Sequence, residues 1–185
     1  MRSTPWSRRR RPRSPLGAIV TLVAIVAIAA IVSWLQPGET LTGRASAVDG
    51  DTLRIGQTRI RLIGIDAVEL KQECTDASGR AWPCGTEARA HLQRLLSAET
   101  RCTADGRDRY GRTLARCAVG GRDLGREMAV AGWALGEIEY ALAVAEARGA
   151  KRGIWSGGFA DPADWRRDNG AENFSLWDWV LSWFG

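Results

Sequence analysis

The stretch LTGRASAVDGDTLRIGQTRIRLIGI, residues 41–65, decides the fold. Short runs of β-branched and apolar residues alternate there with glycine-containing turns at Asp49-Gly50 and Gly56-Gln57. Asp-Gly is a strong hairpin signal, and β-branched residues favour strands. The stretch therefore predicts three strands, joined by turns, at the start of a β-rich domain.

Helices and strands follow this segment. Apolar residues at helical spacing predict an amphipathic helix over 87–96, followed by strands at 100–104 and 113–119. Two further helices are predicted over 123–131 and 140–148. Short strands with inserted and appended helices are typical of a partly open Greek-key barrel of the OB type. We predict an α+β fold, mainly β, with a five-stranded OB-fold-type barrel and about three helices.

Positive charge is concentrated at the amino terminus. The first 13 residues hold six of the 26 Lys/Arg and no acid, which leaves 20 Lys/Arg against all 21 Asp/Glu in the remainder. The net charge of +5 is therefore a property of this tail, and it does not by itself indicate a nucleic-acid-binding domain.

An uncharged apolar run at 16–35 follows the basic tail, 1–15. As a helix it would be about 30 Å long, which matches the hydrocarbon core of a bilayer. The preceding arginines place the amino terminus in the cytoplasm and the rest of the chain across the membrane. We predict one N-terminal transmembrane helix acting as a signal anchor, a linker at 36–40, and a single-pass protein whose domain is periplasmic or extracellular.

Three alternatives compete with an uncleaved anchor. A cleaved signal peptide has a shorter apolar region with a small-x-small site directly after it, and Trp34 to Pro37 offers no such site. A twin-arginine signal at Ser7-Arg8-Arg9 lacks the apolar residues expected after it. A buried core helix would leave the arginine run unexplained, so the uncleaved anchor is preferred.

All four cysteines follow the predicted anchor, on the side of a membrane where disulfides persist. Zinc is a poor explanation, because His91 is the only histidine and no C-x-x-C pair occurs. Four cysteines allow three pairings. We favour Cys74–Cys84, which closes a short loop, and Cys102–Cys117, which joins neighbouring strands; four free thiols are the alternative.

Charged residues suited to phosphodiester chemistry lie near the predicted turns. Asp51 follows the Asp-Gly turn, Arg61, Asp66 and Glu69 surround the end of a strand, and Arg112 lies in a charged connection. Each residue alone is ordinary in a turn or on a surface. Together, carboxylates can hold a hard cation such as calcium, arginines can clamp a phosphate, and a further carboxylate can orient or deprotonate water. These are the components of a phosphodiesterase.

Three motifs carry these residues, namely VDGDT at 48–52, RLIGIDAVE at 61–69 and DRYGR at 108–112. In order and approximate spacing they resemble the staphylococcal nuclease (thermonuclease) family. The likeness extends to the Gly-Ile-Trp triplet at 153–155 and covers about residues 41–156. The resemblance implies hydrolysis of DNA and RNA with low sequence specificity, because such a site grips phosphate and spares the base edges.

The resemblance also implies a calcium cofactor. Asp51 and Asp66 are similar to the metal-ligating carboxylates of the family, and the main-chain carbonyl of Ala67 is implied as a further ligand. The metal would act as Lewis acid and template for the phosphate and the attacking water.

The catalytic side chains implied by the resemblance are Arg61, Glu69 and Arg112. Glu69 has the position of the general base, and the two arginines match the phosphate-binding pair. The implied partner is therefore a nucleic acid substrate, and no obligate protein partner is inferred.

Two departures from the family pattern affect the expected efficiency. Val68 replaces a proline that commonly precedes the glutamate, so Glu69 loses a rigid neighbour. The segment 132–153 is shorter than in the secreted prototype, where it supplies tyrosines that stack on the base. Tyr110 and Tyr140 are the candidate replacements for substrate stacking.

The nuclease-like domain is predicted at 41–168, followed by an aromatic tail at 169–185. The tail fits either contact with a membrane surface or packing against the domain or the anchor. Two other functions compete with the enzyme. A catalytically weak or inactive OB-fold binding module would not need the acids and arginines together, and neither would an envelope interaction protein.

Overall fold

The computed structural model describes residues 15–35 and 38–170. The chain divides into two units, 1–37 and 38–185. The predicted basic tail, except its last residue, the linker residues 36–37 and the aromatic tail from residue 171 onward lie outside the described residues.

The described part of the first unit is a helix, α1, which runs from Pro15 to Leu35. Side chains within it are described for Gly17 and for residues 19–30, and all of them are exposed. Over the side chains described, no helix is long and apolar enough to span a membrane. The signal anchor stays a prediction from the sequence.

The second unit is mixed α+β and consists mainly of strands. The strands, in chain order, are β1 Thr40–Gly43, β2 Ala45–Ala47, β3 Thr52–Ile55, β4 Thr58–Leu62, β5 Ile65–Ala67, β6 Cys74–Thr75, β7 Ala81–Trp82, β8 Thr100–Arg107, β9 Thr113–Val119, β10 Arg122–Asp123 and β11 Ala134–Gly136.

Four α-helices lie among the described residues of this unit. They are α2 Cys84–Leu95, α3 Leu124–Val130, α4 Ala141–Gly149 and α5 Pro162–Gly170, with short 3-10 helices at Ile138–Tyr140 and Gly153–Ser156. The three predicted helices correspond to α2, α3 and α4 with ends shifted by one to three residues. Helix α5 was not predicted, because its sequence is polar and lacks an apolar stripe.

The main sheet curls into a half-barrel. Its seven strands follow the order β1-β8-β9-β4-β3-β2, with β10 beside β9. Only Arg44 separates β1 from β2, yet β1 pairs with β8 at one edge and β2 pairs with β3 at the other. The two edges therefore lie close together, as in an open barrel. This arrangement is consistent with the predicted OB-like class.

The prediction of three strands in residues 41–65 was wrong. The segment contributes to five strands, because the chain changes partners at Arg44 and again at Gly64. Gly64 has φ 78°, a left-handed conformation that favours glycine. It turns β5 away from the main sheet, so that β5 pairs with β11 instead. The switch places Asp66, at the centre of β5, beside the end of β4.

The core lies between the curled sheet and helices α2, α3 and α4. It is built largely from apolar side chains that are fully buried, including Leu53, Ile60, Leu62, Leu92, Leu124, Met128 and Ile154. Alternate residues of β9 are buried, which is the pattern of a strand with one face on the core.

Both predicted disulfides are confirmed. Cys74 is bonded to Cys84, and Cys102 is bonded to Cys117. Cys102 and Cys117 are direct partners in the register of β8 and β9, which explains how their side chains meet. The bond between Cys74 and Cys84 closes the loop that follows the predicted general base.

Candidate active site

The turn before β3 buries the first predicted metal ligand. The carboxylate of Asp49 accepts hydrogen bonds from the backbone N–H groups of Asp51 (3.1 Å) and Thr52 (2.6 Å), which fixes the turn. The side chain of Asp51 is 5% exposed. Its Oδ1 accepts from Arg61 at 2.8 Å, and its Oδ2 accepts from the N–H of Ala67 at 3.2 Å. Burial raises the pKa of Asp51, and the neighbouring Arg61 opposes that rise.

Arg61 joins the two carboxylates predicted to bind metal. Its Nη1 donates to Asp51 and its Nη2 donates to Oδ1 of Asp66, at 2.8 and 2.7 Å. Burial lowers the pKa of Arg61, but the neighbouring carboxylates of Asp51 and Asp66 outweigh this effect. The net result is a raised pKa. A single guanidinium from β4 therefore bridges Asp51, in the turn before β3, and Asp66 on β5.

Glu69 meets a residue that the sequence did not single out. Nη1 of Arg166 donates to Oε1 of Glu69 at 2.7 Å and to Oδ1 of Asp66 at 3.0 Å. Nη2 of Arg166 donates to Oδ2 of Asp66 at 2.9 Å. The hydrogen bond with Asp66 is the largest contribution that raises the pKa of Arg166. Arg166 lies on α5, outside every motif that signalled the family.

Arg112 approaches the same site from the connection between β8 and β9. Its Nε donates to Asp108 at 2.7 Å, and its Nη1 donates to the hydroxyl of Thr52 at 3.3 Å. The same hydroxyl donates to Asp51 at 3.1 Å. Thr52 thus links the second predicted phosphate-binding arginine to the first carboxylate.

Apart from Asp66 and Thr52, these groups line an open cleft of about 1000 Å³. A second cleft, of about 810 Å³, adjoins it and shares Arg61 and Arg166 as lining residues. Asp66 lines only the second cleft and Asp51 only the larger one, so the shared arginines, which both bond to Asp66, form the wall between the two. The residues lining the larger cleft include Asp49, Asp51, Arg59, Arg61, Ala67, Glu69, Asp108, Arg109, Tyr110, Arg112, Arg166 and Arg167.

The two candidate stacking tyrosines differ sharply in accessibility. Tyr110 is 70% exposed at the cleft, with the guanidinium of Arg112 at 5.7 Å from its ring centroid. Tyr140 is 9% exposed and belongs to the hydrophobic core. Its ring packs against Gly125 and cannot meet a substrate base without leaving the core. Of the two, only Tyr110 presents an exposed ring at the cleft.

The donor chemistry of the cleft suits a hard divalent cation. Asp51, Asp66 and Glu69 offer carboxylate oxygens, which are the ligands that calcium takes. Within residues 15–35 and 38–170, however, no three acidic, histidine or cysteine side chains are grouped as a ready metal centre. Both carboxylate oxygens of Asp66 and one oxygen of Glu69 accept hydrogen bonds from arginines. A cation at Asp66 and Glu69 would need the same oxygens.

Gln72 fixes the loop that carries Glu69. Gln72 is 1% exposed, and its side-chain oxygen accepts from the N–H of Glu69 at 3.0 Å. Helix α2 packs directly on this loop. The contact is so close at Gly85 that a Cβ there would collide with the carbonyl of Glu69. Val68 is 1% exposed, so its buried side chain anchors the loop where the family commonly has proline.

The curled barrel and its cleft of acids and arginines define an OB-like domain of the nuclease type. The sequence model of the family described as staphylococcal nuclease homologue matches residues 59–157, so the chain belongs to that family. The match includes Arg61, Asp66, Glu69 and Arg112, whereas Asp51 and Arg166 lie outside it.

The chain is also similar to a protein named succinoglycan biosynthesis protein ExoI, from Rhizobium meliloti (strain 1021). The two are 38% identical over 125 residues, which is 63% of this chain and 65% of that protein. The chain thus spans just under two thirds of the length of the curated relative it matches.

Proposed function

We propose that this protein is a calcium-dependent endonuclease that hydrolyses phosphodiester bonds of DNA or RNA with low sequence specificity. One observation carries the proposal. Five charged side chains from separate motifs, Asp51, Arg61, Asp66, Glu69 and Arg112, converge around two adjoining clefts with a shared wall.

Each group has a role that its position supports. Arg61 and Arg112 are placed to bind non-bridging phosphate oxygens and to stabilise the charge that develops on them. Glu69 is placed to accept a proton from the attacking water. Asp51 and Asp66, with the carbonyl of Ala67, would hold calcium, which supplies Lewis acidity when bound.

Low sequence specificity follows from the chemistry of the cleft. Its lining is dominated by guanidinium and carboxylate groups, which interact with phosphates and metal rather than with base edges. Tyr110 adds an exposed ring, and every base has a face that can stack on it. Single-stranded or unpaired segments are therefore the preferred substrates.

We place the enzyme outside the cytoplasm, held by the predicted N-terminal anchor. Two disulfides support this location, because such bonds persist in oxidising compartments and are rare in the cytosol. Contact of the C-terminal aromatic tail with the membrane is part of the same proposal.

The test is digestion of DNA and RNA by the full-length protein, with calcium and with a chelator. We expect cleavage with calcium and its loss with chelator. The Glu69→Gln variant should reduce turnover by about 10²- to 10⁴-fold, which is the usual contribution of a general base. Glu73→Gln, an exposed change four residues away, is the matched control. Equal cleavage in both conditions, or none in either, rejects the metal mechanism.

A catalytically weak or inactive module is the second candidate. Two observations favour it: Asp66 and Glu69 are neutralised by Arg166, and the relative in Rhizobium meliloti is named for succinoglycan biosynthesis. An inactive module would bind a single-stranded oligonucleotide in a gel-shift assay without cleaving it, whereas an envelope interaction protein would neither bind nor cleave it.

A further inference from the structure

Arg166 neutralises two of the three carboxylates in the site. It makes three hydrogen bonds, two to Asp66 and one to Glu69, at 2.7 to 3.0 Å. The pair with Asp66 uses both terminal guanidinium nitrogens, Nη1 and Nη2, and both carboxylate oxygens, which is the strongest geometry for an arginine–carboxylate pair. Arg166 therefore contributes a positive charge where the family mechanism needs a cation.

The position of Arg166 is built into the fold. The segment before α5 is held by backbone hydrogen bonds between Thr75 and Gly158 in both directions, at 2.8 and 3.0 Å. The side-chain nitrogen of Gln72 donates to the carbonyl of Ala160 at 2.7 Å. Pro162, at the first position of α5, is fully buried. Helix α5 is thus fixed to the loop that carries Glu69.

Arg167, the next residue on α5, provides the contrast. Its side chain is 74% exposed and pairs with Asp164 on its own helix, whereas that of Arg166 is 40% exposed. Both arginines line the larger cleft. Of these two arginines on α5, only Arg166 reaches Asp66 and Glu69. Its contacts are therefore specific and are not a general property of a basic helix.

A divalent cation and Arg166 would compete for the same oxygens. Asp66 and Glu69 cannot direct the same lone pairs to a calcium ion and to a guanidinium at hydrogen-bond distance. Arg61 also occupies one oxygen of Asp51 and one oxygen of Asp66, but it does not contact Glu69, so Arg166 is the arginine that pairs with both Asp66 and Glu69.

We propose that Arg166 is an internal counter-ion of the metal-binding carboxylates. It occupies Asp66 and Glu69 in the absence of metal and must leave them when calcium binds. The affinity of the site for calcium is then set partly by a residue outside the family's matched region. This inference rests on the proposed calcium site and adds the residue that competes for it.

The test is calorimetric titration of the full-length protein with calcium chloride, in the absence of nucleic acid. Arg166→Gln removes the competing charge, so it should bind calcium about tenfold more tightly than the wild type, a difference near 1.4 kcal/mol. Arg166→Lys keeps the charge but loses the two-pronged pairing with Asp66, so its affinity should lie between the two. Arg126→Gln, an exposed arginine on α3 that lines neither cleft, is the matched control and should bind like the wild type.

The possible outcomes separate this inference from the proposed function. If calcium binds the wild type and Arg166→Gln equally, or binds the variant more weakly, the counter-ion role is rejected while the calcium site stands. If neither protein binds calcium, both are rejected. Urea unfolding of each variant checks the fold, and Arg166→Lys decides the question if Arg166→Gln does not fold, since wild-type affinity in Arg166→Lys would reject the role.

Discussion

The side-chain amide of Gln72 accepts a hydrogen bond from the backbone N–H of Glu69 at 3.0 Å. The same amide donates to the carbonyl of Ala160 at 2.7 Å, directly before α5. One buried side chain therefore holds both the loop of the proposed general base and the segment that positions Arg166. The proposed catalytic loop and Arg166 are therefore coupled through one side chain.

Gln72→Ala should lower both stability and turnover. Two partly buried backbone groups lose their partner, which costs about 1 kcal/mol of unfolding free energy in urea denaturation. Displacement of Glu69 by about 1 Å would lower turnover roughly a hundredfold. Gln57→Ala, at an exposed turn, is the control and should change neither quantity. Unchanged turnover in Gln72→Ala would show that Glu69 does not depend on this amide.

Arg112→Lys should impair catalysis while leaving the fold intact. Lysine keeps the charge but cannot pair with Asp108 and reach Thr52 in the same planar geometry. We expect a fall in kcat/KM of about 10²-fold, comparable with the loss of one donor to a transition-state oxygen. Arg101→Lys, on the exposed face of β8, is the control. If kcat/KM falls equally in both variants, or in neither, Arg112 has no specific role.

Tyr110→Ala should raise KM for single-stranded DNA by about 5- to 150-fold, the range that corresponds to a stacking energy of about 1–3 kcal/mol. The melting temperature should not change, because the ring is 70% exposed and outside the core. Leu142→Ala removes another exposed side chain, 89% exposed on α4, and should leave KM at the wild-type value. A wild-type KM in Tyr110→Ala would exclude stacking on this ring.

Removal of each disulfide should have a different effect on activity. Cys102→Ser/Cys117→Ser should lose about 3 kcal/mol of stability, as expected for a loop of this length, with turnover retained below the unfolding transition. Cys74→Ser/Cys84→Ser should also lower turnover and calcium affinity, because its loop pairs with the segment leading to α5. Wild-type turnover and calcium affinity in that second variant would contradict the coupling.

Much of the site was accessible to sequence reasoning because it depends on local motifs. Asp51 follows a turn signal, and the segment from Arg61 to Glu69 brings a strand end and a loop together within nine residues. The disulfide between Cys102 and Cys117 was also predictable, since neighbouring strands place paired residues face to face.

Contacts between distant segments could not be predicted in this way. Arg166 lies 97 residues from Glu69 and 100 from Asp66, on a short polar helix without an apolar stripe. The core position of Tyr140 depends on the packing of its ring beside Gly125, which no local pattern encodes. Gln72 resembles an ordinary loop residue until its two partners are known. The change of strand partners at Gly64 likewise depends on β11, which lies about seventy residues later.

The disulfide between Cys74 and Cys84 closes the loop that follows Glu69. Thr75, within that loop, pairs with Gly158 in the segment that leads to α5. A newly made chain in a reducing cytoplasm would lack that bond, so Glu69 and α5 would be less firmly held. Oxidation after export would then complete the site. On the proposed nuclease function and location, we expect activity to be latent where the cell keeps its own DNA and to develop only beyond the membrane.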